Sequence, residues 1–198
     1  MNPTRPDIRQ HILDTAKPII LGKGFSGVGL SEILTTAEVP KGSFYHYFKS
    51  KEAFGEALLE DYFNAYLLQI DALLTQTNLS AEQRLMSYWM NWLTSQSDAT
   101  LPCQCLAVKL GAEVADLSEP MRLALQQGTD QVVQKLANCI KEGMIDGSFP
   151  ATIDAAHCAQ VLYAMWLGAS LLTKMRKNTS ALEAALLATR HILKLKPS

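Results

Sequence analysis

Residues 39–54 read VPKGSFYHYFKSKEAF, and the polar members of this run are of the types that bind polyanions. On a helix each residue advances about 100°, so with Phe44 at 0° Phe48 falls near 40°, on a side that can meet Ile33, Leu34 and Val39. Tyr45, Lys49, Gly42, His46 and Ser43 fall between about 100° and 260°, and Tyr47 near 300°, partly inward. Hydroxyls and imidazole N–H groups donate to phosphate oxygens, Lys supplies charge, and a bare Gly lets the helix backbone approach closely. Lys41 at the helix start adds to the attraction of a helix N-terminus for phosphate. Lys51, in the first turn of the next helix, is placed to reach a flanking phosphate. Spacing alone also allows a plainer reading, a small trihelical knot whose outside is polar.

A second chemistry belongs to sulfur. Cys105 lies near the start of a predicted helix, where the dipole lowers a thiol pKa, and Lys109 follows at i+4. A thiol so placed holds more thiolate and reacts with electrophiles or oxidants. Cys103 can resolve an oxidised Cys105, although i,i+2 neighbours on a helix do not face each other. The competing role for Cys105 is a small core residue, and Cys139 and Cys158 are assigned to the core. The four cysteines have no C-x-x-C spacing and no clustered His, so no metal site is expected. Lys174, a cation ending an apolar stretch, either serves a site or snorkels to water. Tyr88, Trp89, Trp92, Met121, Tyr163 and Trp166 either line a ligand pocket or, as aromatics at helical spacing more often do, fill the core.

The elements that must position these groups follow an almost unbroken helical period. Ile12, Leu13, Ala16, Ile19 and Ile20 share one face of a first helix over about 6–21. Pro18 inside it removes one hydrogen bond and predicts a kink or early end, and Gly22-Lys23-Gly24 supplies the stop. Short helices over 30–36 and 40–47, joined by a turn at 37–39, form a helix-turn-helix, whose second helix enters the DNA major groove. Ser50 caps a long helix to about 76, and the capping box Ser80-x-x-Gln83 opens another to about 96. Further helices are expected over about 103–114, from Ser118 to about 146, over 153–177, and from a second capping box at Ser180-x-x-Glu183 to about 194. The chain is expected to be all-α with about nine helices. Its last two long helices, with Ala164 and Gly168 as a small-residue notch, are the expected dimer contact.

Composition agrees. Of 198 residues 48% are hydrophobic and only 19% charged, short of the usual ~25%, which suggests apolar surface hidden in an oligomer as well as in a core. With 8 Pro and 11 Gly the chain is too poor in turn formers for a β-sandwich or a disordered segment. Residues 1–51 carry seven Lys and Arg against four Asp and Glu, and the remainder carries eleven against fifteen, a basic head on an acidic body. No uninterrupted apolar run reaches the ~18 residues of a membrane span, and residues 1–10 lack a signal-peptide core, so a cytoplasmic protein is expected. An enzyme, for instance a detoxifying protein using Cys105, would need machinery that is missing. There is no G-x-G-x-x-G, phosphate loop, H-E-x-x-H or glycine-framed serine, and His11, His46, His157 and His191 are scattered. A helical scaffold with a vestigial head is the remaining alternative.

The run 39–54 closely resembles the signature of TetR-family transcriptional repressors, whose usual form is a small residue and valine, SKGTLYHYF, and a SKEAL-like start of the fourth helix. The ILDTA of the first helix, Gly24-Phe25 and residues 30–34 fit as well, so the motif covers about the first 55 residues. EVPKGSFYHYF, with CLAVKLGAEVADLSEPMR and MWLGASLLTK further on, is similar to the NemR-type, electrophile-responsive members of that family.

The resemblance implies a helix-turn-helix DNA-binding domain over 1–52 and an effector-sensing and dimerisation domain over 53–198, acting as a homodimer on a palindromic double-stranded operator. By position it assigns DNA contacts to Lys41, Gly42, Ser43, Tyr45, His46, Tyr47 and Lys51. It makes Cys105 the sensor of an electrophile or oxidant, with Lys174 close to it. It calls for no cofactor, and the alternative effector is a small molecule held reversibly in the aromatic pocket. The chain departs from the pattern at three places. Glu38 stands where the turn usually has Gly, and a left-handed backbone there is unfavourable for Glu. Pro40 and Gly29 replace residues whose hydroxyls usually contact phosphate.

Overall fold

The computed structural model describes residues 7–97 and 105–195. Among the described residues lie nine α-helices and no strand: α1 Ile8–Lys23, α2 Leu30–Thr36, α3 Lys41–Tyr47, α4 Lys51–Leu74, α5 Ala81–Ser97, α6 Leu106–Ala115, α7 Glu119–Asp146, α8 Ala155–Arg176 and α9 Ser180–Ile192. The chain forms two compact units, Met1–Asn64 with Pro102–Gln127, and Ala65–Leu101 with Gly128–Ser198. The expected division at 52/53 falls near the start of α4, which continues unbroken.

In the first unit Asp7 Oδ1 accepts the amides of Arg9 and Gln10 at 3.0 and 3.3 Å and so starts α1. The helix buries Ile12, Leu13, Ala16, Ile20 and Leu21 and runs on through Pro18. The expected early end does not occur, because Pro18 and Asp14 are both exposed and the carbonyl that loses its donor faces water. Gly24, at φ 87°, ends α1 with its N–H on the Ile20 carbonyl at 2.8 Å. α1 packs on α2 and α3. Beneath them the rings of Phe44, Phe48 and Phe54 lie 5.1 to 5.6 Å apart, mutually tilted or edge-on.

α6 begins at Leu106 rather than 103, with Cys105 as its N-cap; Cys103 lies outside the described residues. Gly55 of α4 is a point of close approach. A Cβ there would sit 2.6 Å from Met121 Sδ and 2.7 Å from Phe25 Cε2, so only glycine lets Phe25 and the start of α7 meet on α4.

In the second unit the Ser80–Gln83 capping box forms in full, at 2.9 and 3.2 Å. Asp154 Oδ1 caps α8 through Ala156 and His157. The Ser180–Glu183 box does not form. Glu183 instead accepts from the Thr179 hydroxyl at 2.6 Å, while Ser180 Oγ turns back to Asn178. The reason is that Ser180 already belongs to the helix, so a cap must come from Thr179 or earlier.

α9 packs on α8 and α5. α8 is long and apolar enough by composition to cross a bilayer, but its inner face is the core of this unit, with Leu162, Tyr163, Trp166 and Ala169 buried. Its outer side keeps Leu171 and Met175 exposed, and α9 keeps Leu187 exposed. Between the two helices runs an apolar groove of about 500 Å³ lined by Met165, Gly168, Leu172, Ala184 and Ala188.

Candidate functional site

α3 turns its aromatic pair inward and its polar residues outward, as the wheel requires. Phe44 and Phe48 are buried; Lys41, Gly42, Tyr45, His46 and Tyr47 are exposed and Ser43 is half-buried. Tyr45 is 49% exposed and Tyr47 37%, consistent with the more inward angle of Tyr47. The Lys41 ammonium lies 5.9 Å from the centre of the Tyr45 ring, and the His46 and Tyr47 rings meet edge-on at 4.9 Å. Lys49 departs from the wheel. The chain leaves the helix at Phe48 (φ −128°, ψ 119°), so the helical angle given to Lys49 does not apply, although its side chain is exposed.

The turn before α3 is tight. Ala37 N–H donates to the Ile33 carbonyl at 2.9 Å and Val39 N–H to Leu34 at 3.0 Å, and a His11 ring nitrogen meets the Ala37 carbonyl at 2.9 Å. Glu38 has φ 55°, a left-handed conformation that is unfavourable for a residue with a side chain. Neither Gly29 nor Pro40 gives a side-chain cap to its helix.

Lys51 reaches back to the loop that follows α1. Its Nζ donates to the Phe25 carbonyl at 2.8 Å and lies over the Phe25 ring, 4.7 Å from its centre. Lys51, expected to reach a flanking phosphate, braces α4 against the loop that follows α1, where the Phe25 carbonyl, which also accepts the Val28 amide at 3.4 Å, and the Phe25 ring lie within its reach.

Beside that loop stands a residue that the sequence reading missed. Glu113 of α6 accepts the Ser26 amide at 2.5 Å and the Phe25 amide at 3.2 Å. One turn earlier, Lys109 donates to the Gly22 carbonyl at 3.1 Å. Burial raises the Glu113 pKa, but the Ser26 and Phe25 hydrogen bonds and the nearby Lys109 outweigh it and hold the carboxyl below its usual value. Lys109 and Glu113 at i,i+4 on a helix is a legible pair, but it reads as an exposed ion pair until the loop is in place.

Cys105 is buried at the start of α6 and makes no cap hydrogen bond. The Lys109 ammonium, expected to favour its thiolate, is directed to Gly22. Burial pushes the Cys139 thiol up to about 11 and raises Cys158 too, so neither is an activated nucleophile. Lys174 is exposed on α8, in the second unit, whereas Cys105 belongs to the first.

The five aromatic residues are brought together. Tyr88, Trp89, Trp92, Tyr163 and Trp166 are all buried in the second unit, and Trp89 stacks on Trp166 at 4.8 Å. Trp92 Nε1 donates to Ser170 and Trp166 Nε1 to Thr189, each at 2.9 Å. Packed edge to face, tilted or stacked, these rings fill space as a core does. Trp89 Nε1 is the exception to their polar satisfaction, a buried donor without an acceptor. Met121 belongs to the first unit, where it packs against Gly55. Among the described residues no three His, Cys, Asp or Glu side chains could share a metal ion.

Residues 12–58 match the bacterial regulatory proteins of the tetR family, and residues 81–189 match the tetracyclin repressor-like C-terminal domain. The HTH-type transcriptional repressor NemR of Escherichia coli (strain K12) is 42% identical over 190 residues, 96% of each chain. The HTH-type transcriptional repressor DhaR of Mycobacterium sp. (strain GP1) is 33% identical over 180 residues, 90% of this chain and 88% of that one. The crystal structure of the reduced form of E. coli NemR superposes with a TM-score of 0.90 at 42% identity, covering 97% of this chain and all of the other.

Proposed function

The chain belongs to the tetR family of bacterial regulatory proteins and is a DNA-binding transcriptional regulator, and from that premise we propose that it represses by seating α3 in the major groove and is released by modification of a thiol. The observation that carries the DNA assignment is the exposed Lys41, Gly42, Tyr45, His46 and Tyr47, with half-buried Ser43, around a helix whose Phe44 is fully buried. The head over 1–52 supplies the DNA contacts, and 53–198 supplies sensing and dimerisation. The groove between α8 and α9, with exposed Leu171, Leu187 and Met175 around it, supports a second copy packing there. Two heads then meet half-sites of a palindrome about one helical turn apart.

Sensing is assigned to Cys105. The raised pKa values of Cys139 and Cys158 argue against those two thiols and so support this choice among the described cysteines. Its burial means that an adduct must displace the start of α6. That a solved relative is described as a reduced form supports a redox or electrophile response. Cys103 enters this reading as a thiol two residues before Cys105, and the closeness of Lys174 to Cys105 through the resemblance. The protein works by binding in the cytoplasm rather than by turnover.

A second reading rests on Trp89. Its buried, unpartnered Nε1 favours a reversible ligand that brings an acceptor into the aromatic cluster.

Hydroxyl-radical footprinting on the DNA upstream of its own gene tests the assignment. Two protected half-sites of dyad-related sequence, centred about 10 base pairs apart or a multiple of that, are expected. A single protected patch, or none, contradicts it.

A further inference from the structure

The α6 side chains that face the head form a two-pronged clamp on the end of α1. Lys109 places a cation on a carbonyl of its last turn, where the helix dipole favours positive charge. Glu113 places an anion on the next two free amides, those of Phe25 and Ser26. The fit is close: a Cβ on Gly24 would lie 2.8 Å from Glu113 Oε2, so this loop needs glycine for contact as well as for its positive φ. The clamped loop leads within four residues into α2, and Phe25 is held from its other side by Lys51 and packed on Gly55. Residues 105, 109 and 113 recur at i+4, so Cys105 and both prongs share one stripe of α6.

We infer that Glu113, seconded by Lys109, is the positioning residue that couples α6 to DNA binding, its carboxylate passing any displacement of α6 to the Phe25–Ser26 backbone and so to α2 and α3. The inference deepens the proposed thiol response and rests on it for its natural trigger. Neither residue touches DNA in this scheme. Their effect is on the difference between two states rather than on either alone.

The test compares the operator Kd of untreated and N-ethylmaleimide-treated protein for the parent, Glu113→Ala and Glu113→Gln. In the parent the ratio is expected in the range of about 5- to 150-fold usual for coupled sites. In Glu113→Ala it falls below about threefold, and Glu113→Gln, which keeps one acceptor oxygen, lies between. A merely structural role would weaken both states together and leave the ratio unchanged, and an unchanged ratio overturns the inference. If the parent itself does not respond, the thiol reading fails, and hydrogen exchange then decides the clamp separately. Operator DNA is expected to slow exchange of the α6 amides in the parent but not in Glu113→Ala or, as the milder variant, only partly in Glu113→Gln. Equal slowing in all three overturns it.

Discussion

Lys51 Nζ donates to the carbonyl oxygen of Phe25 at 2.8 Å while standing over the same residue's ring. A lysine placed by its sequence position on a flanking phosphate therefore already spends one of its three donors inside the protein. Lys51→Met is expected to lower stability by about 1 kcal/mol, less than a buried charged hydrogen bond because the group is half-exposed. In a chain of this size that lowers Tm by about 2–4 °C. The slope of log K against log salt should change by much less than the ~0.9 lost with one phosphate contact. A change near 0.9 at constant Tm would return Lys51 to the duplex.

Tyr45→Ala and His46→Ala remove exposed side chains from α3. Each should weaken operator binding by about 1–3 kcal/mol, roughly 5- to 150-fold, with the helical circular dichroism and Tm nearly constant. Phe44→Ala should do the reverse, costing about 3–5 kcal/mol of stability because the ring is fully buried. Fluorescence anisotropy on a labelled operator and thermal melts separate the two classes. Unaltered DNA binding by both exposed variants would remove α3 from the groove.

Glu38 carries strain. Its left-handed backbone costs an L-residue about 1–2 kcal/mol, of which glycine returns about 0.4–1 through the freedom of its unfolded chain. Glu38→Gly should therefore raise stability by roughly 0.5–1 kcal/mol, about 1–4 °C in Tm by calorimetry. A lower Tm would mean that the Glu38 side chain contributes more than its backbone costs.

The helices were legible because their signals are local. Apolar period fixed the buried face of α1, the Ser80–Gln83 box fixed the start of α5, and the wheel placed Phe44 inward and Tyr45 outward. The strained turn was legible from a single non-glycine at Glu38. What the sequence could not carry was the destination of long polar side chains. Lys51 and Glu113 find backbone groups of the loop after α1, and Lys109 one in the last turn of α1, at separations of 26 to 88 residues that no period encodes. The wheel failed at Lys49 for a related reason, since the extended backbone at Phe48 ends the helix without a glycine to announce it. Met121 was grouped with the aromatics by residue type, whereas packing sends it to Gly55.

Acid should loosen the head through Glu113. Its folded pKa lies below the ordinary 4.5, so it contributes stability in full above the unfolded value and loses it as pH falls through the folded one. Asp146, likewise lowered by the Ser148 and Ala81 hydrogen bonds, adds to the same acid slope in the other unit. The informative quantity is thus the difference between parent and Glu113→Gln. Melts from pH 7 to pH 3 should show the gap in Tm constant above about pH 5 and closing below it. A gap that stays open at pH 3 would deny Glu113 its charged role.

The most direct measurement is the binding of the protein to DNA upstream of its own gene, before and after N-ethylmaleimide, for the parent and Cys105→Ser, with Cys139 and Cys158 intact in both. Release of the parent with retention of Cys105→Ser is the predicted result. Equal release of both, or equal retention, would contradict the assignment of sensing to the thiol at the start of α6.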